Sequence, residues 1–562
     1  MTLSVDQLEQ RSPPPELRLA NPQRKTKVDL GGAVRVSILA VSGVAFFTAF
    51  FYLISIRSLF IDSDGATALL EGQSMAAGHL TLHGWALSVD SFWTVDALAN
   101  MVVGLVLGFH STLLHLVPAL IAALTVVVGA FVACWGRRGA AMVAAVVTIV
   151  LLLGFPSPLL SYVFLRGPFH VGTTLWCLTA FYFLRRGRFD LGWLIAVGLV
   201  AAALSGDLQA LGIGVVPVLC AGALGAIRAR NWRAGAPLAA ASLGAVALTL
   251  LIRLLARLVG TFAIGGVQPS ASSAEAGHNL VRLPVVFSNL LGVGGKQGSV
   301  PIPLEMVRLL SVALVGVAVG SAVIGIVVQC RRARRDAPVG AGRDDRISEG
   351  WHLDDLLVFG CLGGSFLYVA LAISSDFNYD RYLTSAVIFA CVLTARVVGR
   401  WVEHGRTGPW LRRAVAVFVV AAVSFAAGDL VVVAAGRGAT YPSQPVPELA
   451  SFLAAHHLDL GVGDYWSSSI TTATTNGAVT VRPVTENPQG KVVRYERQSD
   501  ADWYAGTSFQ FLVFDPLAPG AVDKTGAITT FGAPAREYRV GPYRVLVWNH
   551  PLTVSTNGYD PE

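Results

Sequence analysis

The residues best suited to chemistry lie in one stretch of the sequence, from Asp62 to His115. This stretch follows the first long apolar run and has no Lys or Arg after Arg57. It contains five acids, namely Asp62, Asp64, Glu71, Asp90 and Asp96. A connecting loop needs few polar residues, whereas carboxylates can act as general bases or accept hydrogen bonds from hydroxyl groups. The composition of this stretch therefore predicts an active-site loop.

Aromatic side chains are interleaved with these acids. His83, Trp85 and Trp93 stand between Glu71 and Asp96. Tryptophan on its own is common as an anchor at the membrane interface. Beside carboxylates, however, aromatic faces suit a sugar, whose ring faces are apolar and whose hydroxyl groups need acceptors. We therefore expect these three aromatic side chains and Glu71 to bind the substrate.

The composition of the whole chain is that of a polytopic membrane protein. Hydrophobic residues make up 54% and charged residues 14% of the 562 residues, and the mean hydropathy is +0.59. The net charge of +7 does not indicate nucleic acid, because the basic residues form short clusters between apolar runs, as the positive-inside rule expects. The six cysteines have no metal-ligand spacing and are expected to fill apolar space.

The apolar runs are the elements that must position the acidic loop. We predict about eleven membrane spans, near residues 36–56, 113–135, 140–154, 169–184, 189–204, 208–227, 236–258, 304–329, 353–374, 382–398 and 413–435. The run 97–109 is too short to cross the hydrocarbon, which needs about 20 residues. It is predicted to be a helix at the outer face, because this choice leaves the basic clusters in the cytoplasm.

Three domains follow from this pattern. A cytoplasmic tail at 1–35 is followed by an all-α transmembrane domain at 36–436, whose first outer loop covers 57–112. The spans place the N-terminus in the cytoplasm and a soluble domain at 437–562 outside the plasma membrane.

The soluble domain is predicted to be of the α/β or α+β class. A helix-like stretch at 446–457 precedes short β-branched or alternating runs at 478–484, 509–514, 536–540 and 543–548. Two aromatic pairs, Tyr465 with Trp466 and Trp503 with Tyr504, are expected either to form part of an acceptor surface or to pack in the domain core.

The order of these features resembles a known superfamily. A basic tail and a first span precede an acid, a helix that ends in AAGHLTLHGW, the segment DSFWTVD, and a short apolar helix that ends in LGF. This order resembles the GT-C superfamily of polytopic glycosyltransferases that use polyprenyl-phosphate sugars. The chain is also similar to uncharacterised actinobacterial members of that superfamily.

The resemblance implies an inverting transfer of a hexose or pentose from a polyprenyl-phosphate donor to a cell-envelope glycan, lipid or protein, on the outer face of the cytoplasmic membrane. The catalytic base of the family matches Asp64 best, with Asp62 as the alternative. The second acidic position matches Asp90 or Asp96. The chain lacks the Asp-Glu pair and the Lys-Pro-Pro run of better-known members, so the choice within each pair stays open.

A leaving lipid phosphate would need positive charge. The candidates at the outer ends of spans are Arg253 and Arg257, which lie one helical turn apart, together with Arg308 and Arg381. The alternative for Arg253 and Arg257 is that both extend towards lipid headgroups.

Further polar residues are expected to border the same cavity. They are His170, Asp207 and the run 376–382, which includes Asp380 and Arg381. Asp429, inside the last span, is expected to be paired or functional. Asp62 and Asp64 could also bind a divalent cation, Mg²⁺ or Mn²⁺, through their hard oxygen atoms.

Two other classes of function compete with the enzyme. Many spans with intramembrane charges would also suit a transporter or flippase of a lipid or glycolipid, although carriers are commonly built from repeats and the sequence shows none. A non-enzymatic envelope assembly protein would make the acids of the first loop replaceable.

Overall fold

The computed structural model describes residues 30–58, 61–265, 270–294, 302–335, 353–372, 377–405, 446–518, 520 and 522–560. Most of the predicted tail, the predicted span at 413–435 with Asp429, and Asp376 lie outside these residues. By its contacts the chain separates into two compact units, Met1–Ser42 and Gly43–Glu562. The described part of the first unit belongs to one helix, and every residue of the candidate site belongs to the second.

Helices make up most of the described chain as far as Glu403. In chain order they are α1 (Leu30–Ser58), α2 (Ser63–Ala76), α3 (Leu98–Leu107), α4 (Leu113–Cys134), α5 (Gly139–Ile149), α6 (Pro158–Leu165), α7 (Val171–Leu184), α8 (Leu191–Gly206), α9 (Val216–Ala229), α10 (Trp232–Leu258), α11 (Ser273–Leu290), α12 (Ile302–Arg335), α13 (Leu353–Ala370) and α14 (Thr384–Glu403). Apolar runs of this length form helices because a bilayer offers no other partner to the backbone N–H and C=O groups.

Within the described residues, seven helical segments are long and apolar enough to cross a membrane, and a bent pair adds an eighth. The seven coincide with predicted spans. The predicted span at 140–154 is the first half of the bent pair, Gly139–Gly154 with Pro158–Leu165, which turns by 80°. Proline suits the first turn of a helix but not its interior, so the second half begins at Pro158 with Ser157 as its cap.

The two other predicted spans, at 169–184 and 189–204, are the shorter apolar helices α7 and α8. The segment Trp93–Leu107 is also too short for a span, as the sequence predicted. It consists of a π-helical turn, Trp93–Ala97, which leads into α3. The chain is thus a multi-pass membrane protein with short helices beside its long ones.

The core of the helical region surrounds α14. The apolar window of the segment Asp380–Glu403 is wholly buried, whereas the apolar window of α12 is mostly exposed. Large side chains such as Phe389, Phe181 and Phe51 are fully buried, and the rings of Phe181 and Phe389 stack with centroids 5.5 Å apart. The exposed apolar surface of α12 is the surface that a bilayer would cover.

Beyond residue 446 the chain forms a domain with both helices and strands, as predicted. Its helices are α15 (Val446–Ala455), α16 (Tyr465–Thr474) and α17 (Lys524–Phe531). Two short strands come earlier in the chain, β1 (Trp85–Leu87) and β2 (Ala263–Ile264). The domain itself contributes β3 (Leu460–Gly463), β4 (Thr480–Glu486), β5 (Val492–Tyr495), β6 (Ser499–Asp500), β7 (Phe509–Phe514), β8 (Arg536–Val540), β9 (Tyr543–Leu552) and β10 (Gly558–Tyr559).

Seven of the strands form a mixed sheet in the order β10-β5-β4-β3-β7-β9-β8. The central strand β3 runs parallel to β4 and β7, while β9 is antiparallel to β7 and β8. The inward residues of β7 and β9, such as Phe511 and Val545, are fully buried. This core anchors the two elements of the domain that reach the acidic loop, α16 and β6.

A small second sheet joins three distant parts of the chain. In it β1, from the acidic loop, pairs with β2 after α10 and with β6 of the C-terminal domain. Trp85 pairs with Asp500, and Ala86 pairs with both Ser499 and Ala263. The first loop is therefore fixed by backbone hydrogen bonds to the C-terminal domain.

Candidate functional site

The acidic loop begins with a capped helix. Asp62 is the N-cap of α2, and its Oδ1 accepts a hydrogen bond from the N–H of Gly65 at 3.2 Å. Its Oδ2 forms an ion pair with Arg166. Asp62, and not Asp64, is therefore the residue that caps α2. Asp64 lies in the first turn, two residues farther on.

Close backbone packing permits the ion pair of Asp62. A Cβ atom on Gly65 would lie 2.9 Å from the carbonyl oxygen of Arg166 and 3.0 Å from the side chain of Ile61. Glycine is needed here because any larger residue would push α2 away from Arg166. Both oxygens of Asp62 are engaged, so a cation between Asp62 and Asp64 would have to displace the guanidinium group.

Asp64 has a different environment. The hydroxyl group of Tyr465, at the start of α16, donates a hydrogen bond to its Oδ1 at 2.6 Å. Its Oδ2 lies 3.9 Å from Nη1 of Arg381, and 16% of its side chain is exposed. The carboxylate of Asp64 is thus oriented by one neighbour, faced by a cation at longer range, and still accessible.

A small, open cleft lies beside Asp64. Three of the five acids line it, Asp64, Glu71 and Asp90. The remaining lining residues are Ala68, Leu87, Ser88, Ser91, Phe92, Pro168 and Gln498. Gln498 belongs to the C-terminal domain, so residues from both halves of the chain form this cleft.

The segment that carries Asp90 is attached to the end of α8. The N–H of Phe92 donates to the carbonyl oxygen of Gly206 at 2.7 Å, and the N–H of Leu208 donates to Oδ1 of Asp90 at 3.2 Å. Phe92 has a φ of 50°, in the left-handed region that non-glycine residues rarely adopt. This conformation starts the π-helical turn that turns Asp96 inward.

Burial raises the pKa values of four acids in this region, and for Asp62 the charge of Arg166 opposes the shift. Burial raises the pKa of Asp96 to about 7, and the Asp207 carboxylate adds to this shift. Burial, and then the charge of Asp207, raise the pKa of the half-buried Asp90 to about 6, against the opposing charges of His170 and Arg381. Burial and the neighbouring Asp96 raise the pKa of Glu71 well above its usual range.

Asp96 also has an oxygen without a donor. Its Oδ2 is buried and accepts no hydrogen bond from the described residues. A protonated carboxyl group explains this arrangement better than a charged one, because an unpaired buried charge is costly. At neutral pH the cleft therefore contains fewer negative charges than acids.

A buried histidine and aspartate lie behind Asp90. Nδ1 of His170 is 2.8 Å from Oδ2 of Asp207, and Thr173 donates to the same oxygen at 2.5 Å. One ligand atom each from Asp90, His170 and Asp207 lies within 4.8 Å of the others. These three residues could hold a divalent cation, and their mixed nitrogen and oxygen donors suit Mn²⁺ better than Mg²⁺.

The predicted aromatic residues lie outside the lining of the cleft. Trp85 is buried, and its ring meets that of Trp503 at 4.8 Å. Nε1 of Trp93 donates to the carbonyl oxygen of Leu80 at 2.7 Å, and the side chain of His83 is exposed. The structure thus gives Trp85 and Trp93 packing contacts, and their predicted role in binding stays a prediction.

The predicted cations differ in their surroundings. Arg257 is exposed, and Arg253 is half-buried, with a hydrogen bond of 3.4 Å to the carbonyl oxygen of Leu204. Nη1 of Arg308 lies 3.5 Å from the carbonyl oxygen of Gly292. Arg381 faces Asp64, with its guanidinium group 4.9 Å from the ring centre of Phe169. Of these four, the structure brings Arg381 to the acids, next to the buried Asp380.

Three residues of this site were not predicted for it, Arg166, Tyr465 and Gln498. Tyr465 was singled out for an acceptor surface or for packing, and the structure instead directs its hydroxyl to Asp64. Tyr504, from the other aromatic pair, is buried and donates to the carbonyl oxygen of Pro483 at 2.5 Å. No sequence motif marks Arg166 or Gln498, although Arg166 stands directly before a Gly-Pro turn.

Comparison with known proteins identifies the fold. No family model matches the chain, and no curated protein is significantly similar to it in sequence. Among solved structures, the chain is similar to ArnT from Cupriavidus metallidurans in the apo state, with 14% identity, a TM-score of 0.52, and coverage of 92% of this chain and 98% of ArnT. ArnT bound to undecaprenyl phosphate gives 13% identity, a TM-score of 0.48, and coverage of 94% and 99%. The chain therefore has an ArnT-like fold, which confirms the predicted helical membrane region followed by a C-terminal domain of helices and strands.

Proposed function

We propose that the chain is a membrane glycosyltransferase that moves a sugar from a polyprenyl-phosphate donor to a cell-envelope acceptor. One observation carries this proposal. In an ArnT-like fold, Asp64 presents an oriented carboxylate to a cleft, with Arg381 3.9 Å away. We further propose that this cleft lies on the outer face of the cytoplasmic membrane.

The proposed reaction is a single inverting displacement. Oδ2 of Asp64 takes the proton of an acceptor hydroxyl group while the oxygen of that group attacks the anomeric carbon of the sugar. The bond between the anomeric carbon and the phosphate oxygen breaks, and the lipid phosphate leaves from the opposite face with the bonding electrons. Arg381 is the proposed cation that stabilises the charge of the phosphate.

The neutral acids have a proposed role in binding. A protonated Glu71 can donate a hydrogen bond to a sugar hydroxyl, which a carboxylate cannot do. Keeping Glu71 and Asp96 neutral also reduces the repulsion between the cleft and the phosphate of the donor. A divalent cation held by Asp90, His170 and Asp207 remains an additional proposal.

The proposed donor class is supported by the chemistry of a lipid-linked sugar and by the protein with the similar fold. A polyprenyl phosphate holds an activated sugar at the membrane surface, where we propose that Asp64 and Arg381 lie. ArnT, the protein with the similar fold, has been crystallised bound to undecaprenyl phosphate. We therefore propose a polyprenyl-phosphate pentose or hexose as the donor and a hydroxyl group of an envelope glycan, lipid or protein as the acceptor.

A reconstituted transfer assay tests the proposal. Liposomes with the purified protein would receive undecaprenyl phosphate carrying labelled arabinose, mannose or glucose, together with envelope membranes as the acceptor source. We expect one donor to lose its label to the acceptor fraction with release of undecaprenyl phosphate, and empty liposomes to release none. Movement of intact donor across the bilayer would indicate a flippase instead, and no release from any donor would contradict the enzyme.

A further inference from the structure

The C-terminal domain contributes a side chain that contacts Asp64, the proposed catalytic base. Tyr465 is buried, and its hydroxyl group lies 2.6 Å from Oδ1 of Asp64, 401 residues away in sequence. The same hydroxyl group also contacts the side-chain amide of Gln498, whose NH₂ group is the end that can donate to the tyrosine oxygen, and Gln498 lines the cleft. The acid, the tyrosine and the glutamine therefore form one continuous chain of polar contacts.

Several contacts fix the position of Tyr465. It is the first residue of α16, whose N-cap is Asp464. Oδ1 of Asp464 accepts from the N–H of Ser467 at 2.9 Å, and Oδ2 accepts from the N–H of Asp515 at 2.7 Å. These bonds connect the start of α16 to the end of β7, so the backbone of Tyr465 is held in place by the domain.

Gln498 is fixed in a similar way. It directly precedes β6, which pairs with β1 of the acidic loop through Trp85 and Asp500. Because the same sheet joins the loop and the domain, the separation between Asp64 and the Tyr465–Gln498 pair is set by backbone hydrogen bonds. Side chains positioned in this way lose little entropy when a substrate binds.

The tyrosine is suited to donate a hydrogen bond. Burial, followed by the charge of Asp64, raises the pKa of Tyr465 well above its ordinary value. The hydroxyl group therefore stays protonated at neutral pH, and its proton is available to Oδ1 of Asp64. Oδ2 of Asp64, on the side of Arg381, is left free to take the proton of a substrate.

We propose that Tyr465 is a positioning residue for Asp64, supplied by the C-terminal domain and held in place by Gln498. The proposal rests on the proposed function and deepens it, because it makes the reactive carboxylate dependent on both halves of the chain. The soluble domain is then part of the transfer site. Tyr465 orients one oxygen of the base so that the other faces the acceptor.

The test compares two tyrosine variants of one domain. Tyr465→Phe removes the hydroxyl group on Asp64, and Tyr504→Phe removes a buried hydroxyl group that bonds to Pro483 instead. Using the donor that the wild type accepts, we expect Tyr465→Phe to lower kcat by about 10- to 100-fold with little change in KM. We expect Tyr504→Phe to keep kcat within about threefold at matched amounts of folded protein.

The dependence of kcat on pH provides a second readout. A hydrogen bond to a carboxylate favours its charged form, so Tyr465→Phe should move the acidic limb of the kcat profile to higher pH. Asp62, Glu71, Asp90 and Arg381 also face Asp64 or its cleft, and they are unchanged in both variants. Gln498→Leu should give a smaller loss in kcat, of about 3- to 10-fold, because it removes only the support of the tyrosine.

The outcomes separate the two proposals. An inactive wild type would overturn the proposed function itself. An active wild type in which Tyr465→Phe and Gln498→Leu both match Tyr504→Phe in kcat and pH profile would overturn the positioning role alone. If Tyr465→Phe does not fold, the kcat and pH profile of Gln498→Leu decide the proposal.

Discussion

Acids and arginines meet at both ends of the helical region, but they are paired differently. At one end, near the C-terminal end of α4, every acid of a cluster has an arginine. Arg396 and Arg400 both form ion pairs with Asp354, and Arg228 holds Asp355 through two bonds of 2.6 and 3.1 Å. Arg396 also donates to the carbonyl oxygen of Val132 at 2.7 Å. This ion-pair cluster joins α4, α9, α13 and α14.

At the other end the acids outnumber the cations that face them. Asp62 is paired with Arg166, and Asp64 has Arg381 at 3.9 Å. Burial raises the pKa values of the other acids, Glu71, Asp90 and Asp96, and also that of Asp62 despite its pairing with Arg166. The contrast indicates that full pairing holds helices together, while incomplete pairing beside a cleft leaves carboxyl groups for chemistry.

The largest expected effect on stability is in the ion-pair cluster. Asp354→Asn leaves Arg396 and Arg400 without their carboxylate, and Arg396 is buried. Removing one partner of a buried pair costs about 3 kcal/mol or more, which should appear as a lower melting temperature in detergent. Glu403→Gln is the matched control, because the Glu403 side chain is 44% exposed in its pair with Arg137 and should cost less than about 1 kcal/mol. Equal losses would contradict the structural role.

The next effect concerns transfer at the other end. Arg381→Gln should lower kcat by about 30- to 100-fold, because the leaving phosphate loses its cation, with a loss of about 2 to 3 kcal/mol of transition-state stabilisation. Arg257→Gln, an exposed arginine, should change kcat by less than about twofold. A steady-state assay at saturating donor measures both. Similar values for the two variants would remove the phosphate role of Arg381.

A smaller effect depends on pH. The folded state keeps a proton on Asp96 up to about pH 7, while the unfolded chain loses it near the ordinary pKa of 3.8. The folded state thus binds more protons in this window, so stability falls as the pH rises through it. Asparagine mimics the protonated acid, so the stability of Asp96→Asn should not depend on this proton. Its free energy of unfolding relative to that of the wild type should therefore be about 2 kcal/mol higher at pH 8 than at pH 5. Thermal unfolding at both pH values measures this gain, and a difference independent of pH would contradict a neutral Asp96.

Local patterns in the sequence predicted much of the fold. The strands at 509–514 and 536–540 match β7 and β8, because alternation and β-branched residues act over a few neighbours. The predicted spans of close to 20 residues or more within the described residues also match helices that are long enough to cross a membrane. The helices α7 and α8 have 14 and 16 residues, and apolar composition cannot fix where such helices end, because their ends depend on neighbouring helices.

The acids of the site were also visible in the sequence, but their partners were not. The pair of Asp62 with Arg166 and the bond of Asp64 with Tyr465 join residues far apart in the chain, and no spacing rule relates them. The first contact requires the backbones of Gly65 and Arg166 to pack closely. The second requires α16 to pack beside α2, so that Tyr465 reaches Asp64. The choice between Asp62 and Asp64 therefore needed tertiary contacts.

The most direct measurement compares Asp64→Asn with Asp62→Asn in the reconstituted transfer assay. Asp64→Asn should lower transfer by about 10³-fold with an unchanged melting temperature. Asp62→Asn should lower the melting temperature, since Arg166 loses its partner, while its folded fraction keeps transfer within about tenfold of the wild type. Wild-type transfer by Asp64→Asn would contradict the account.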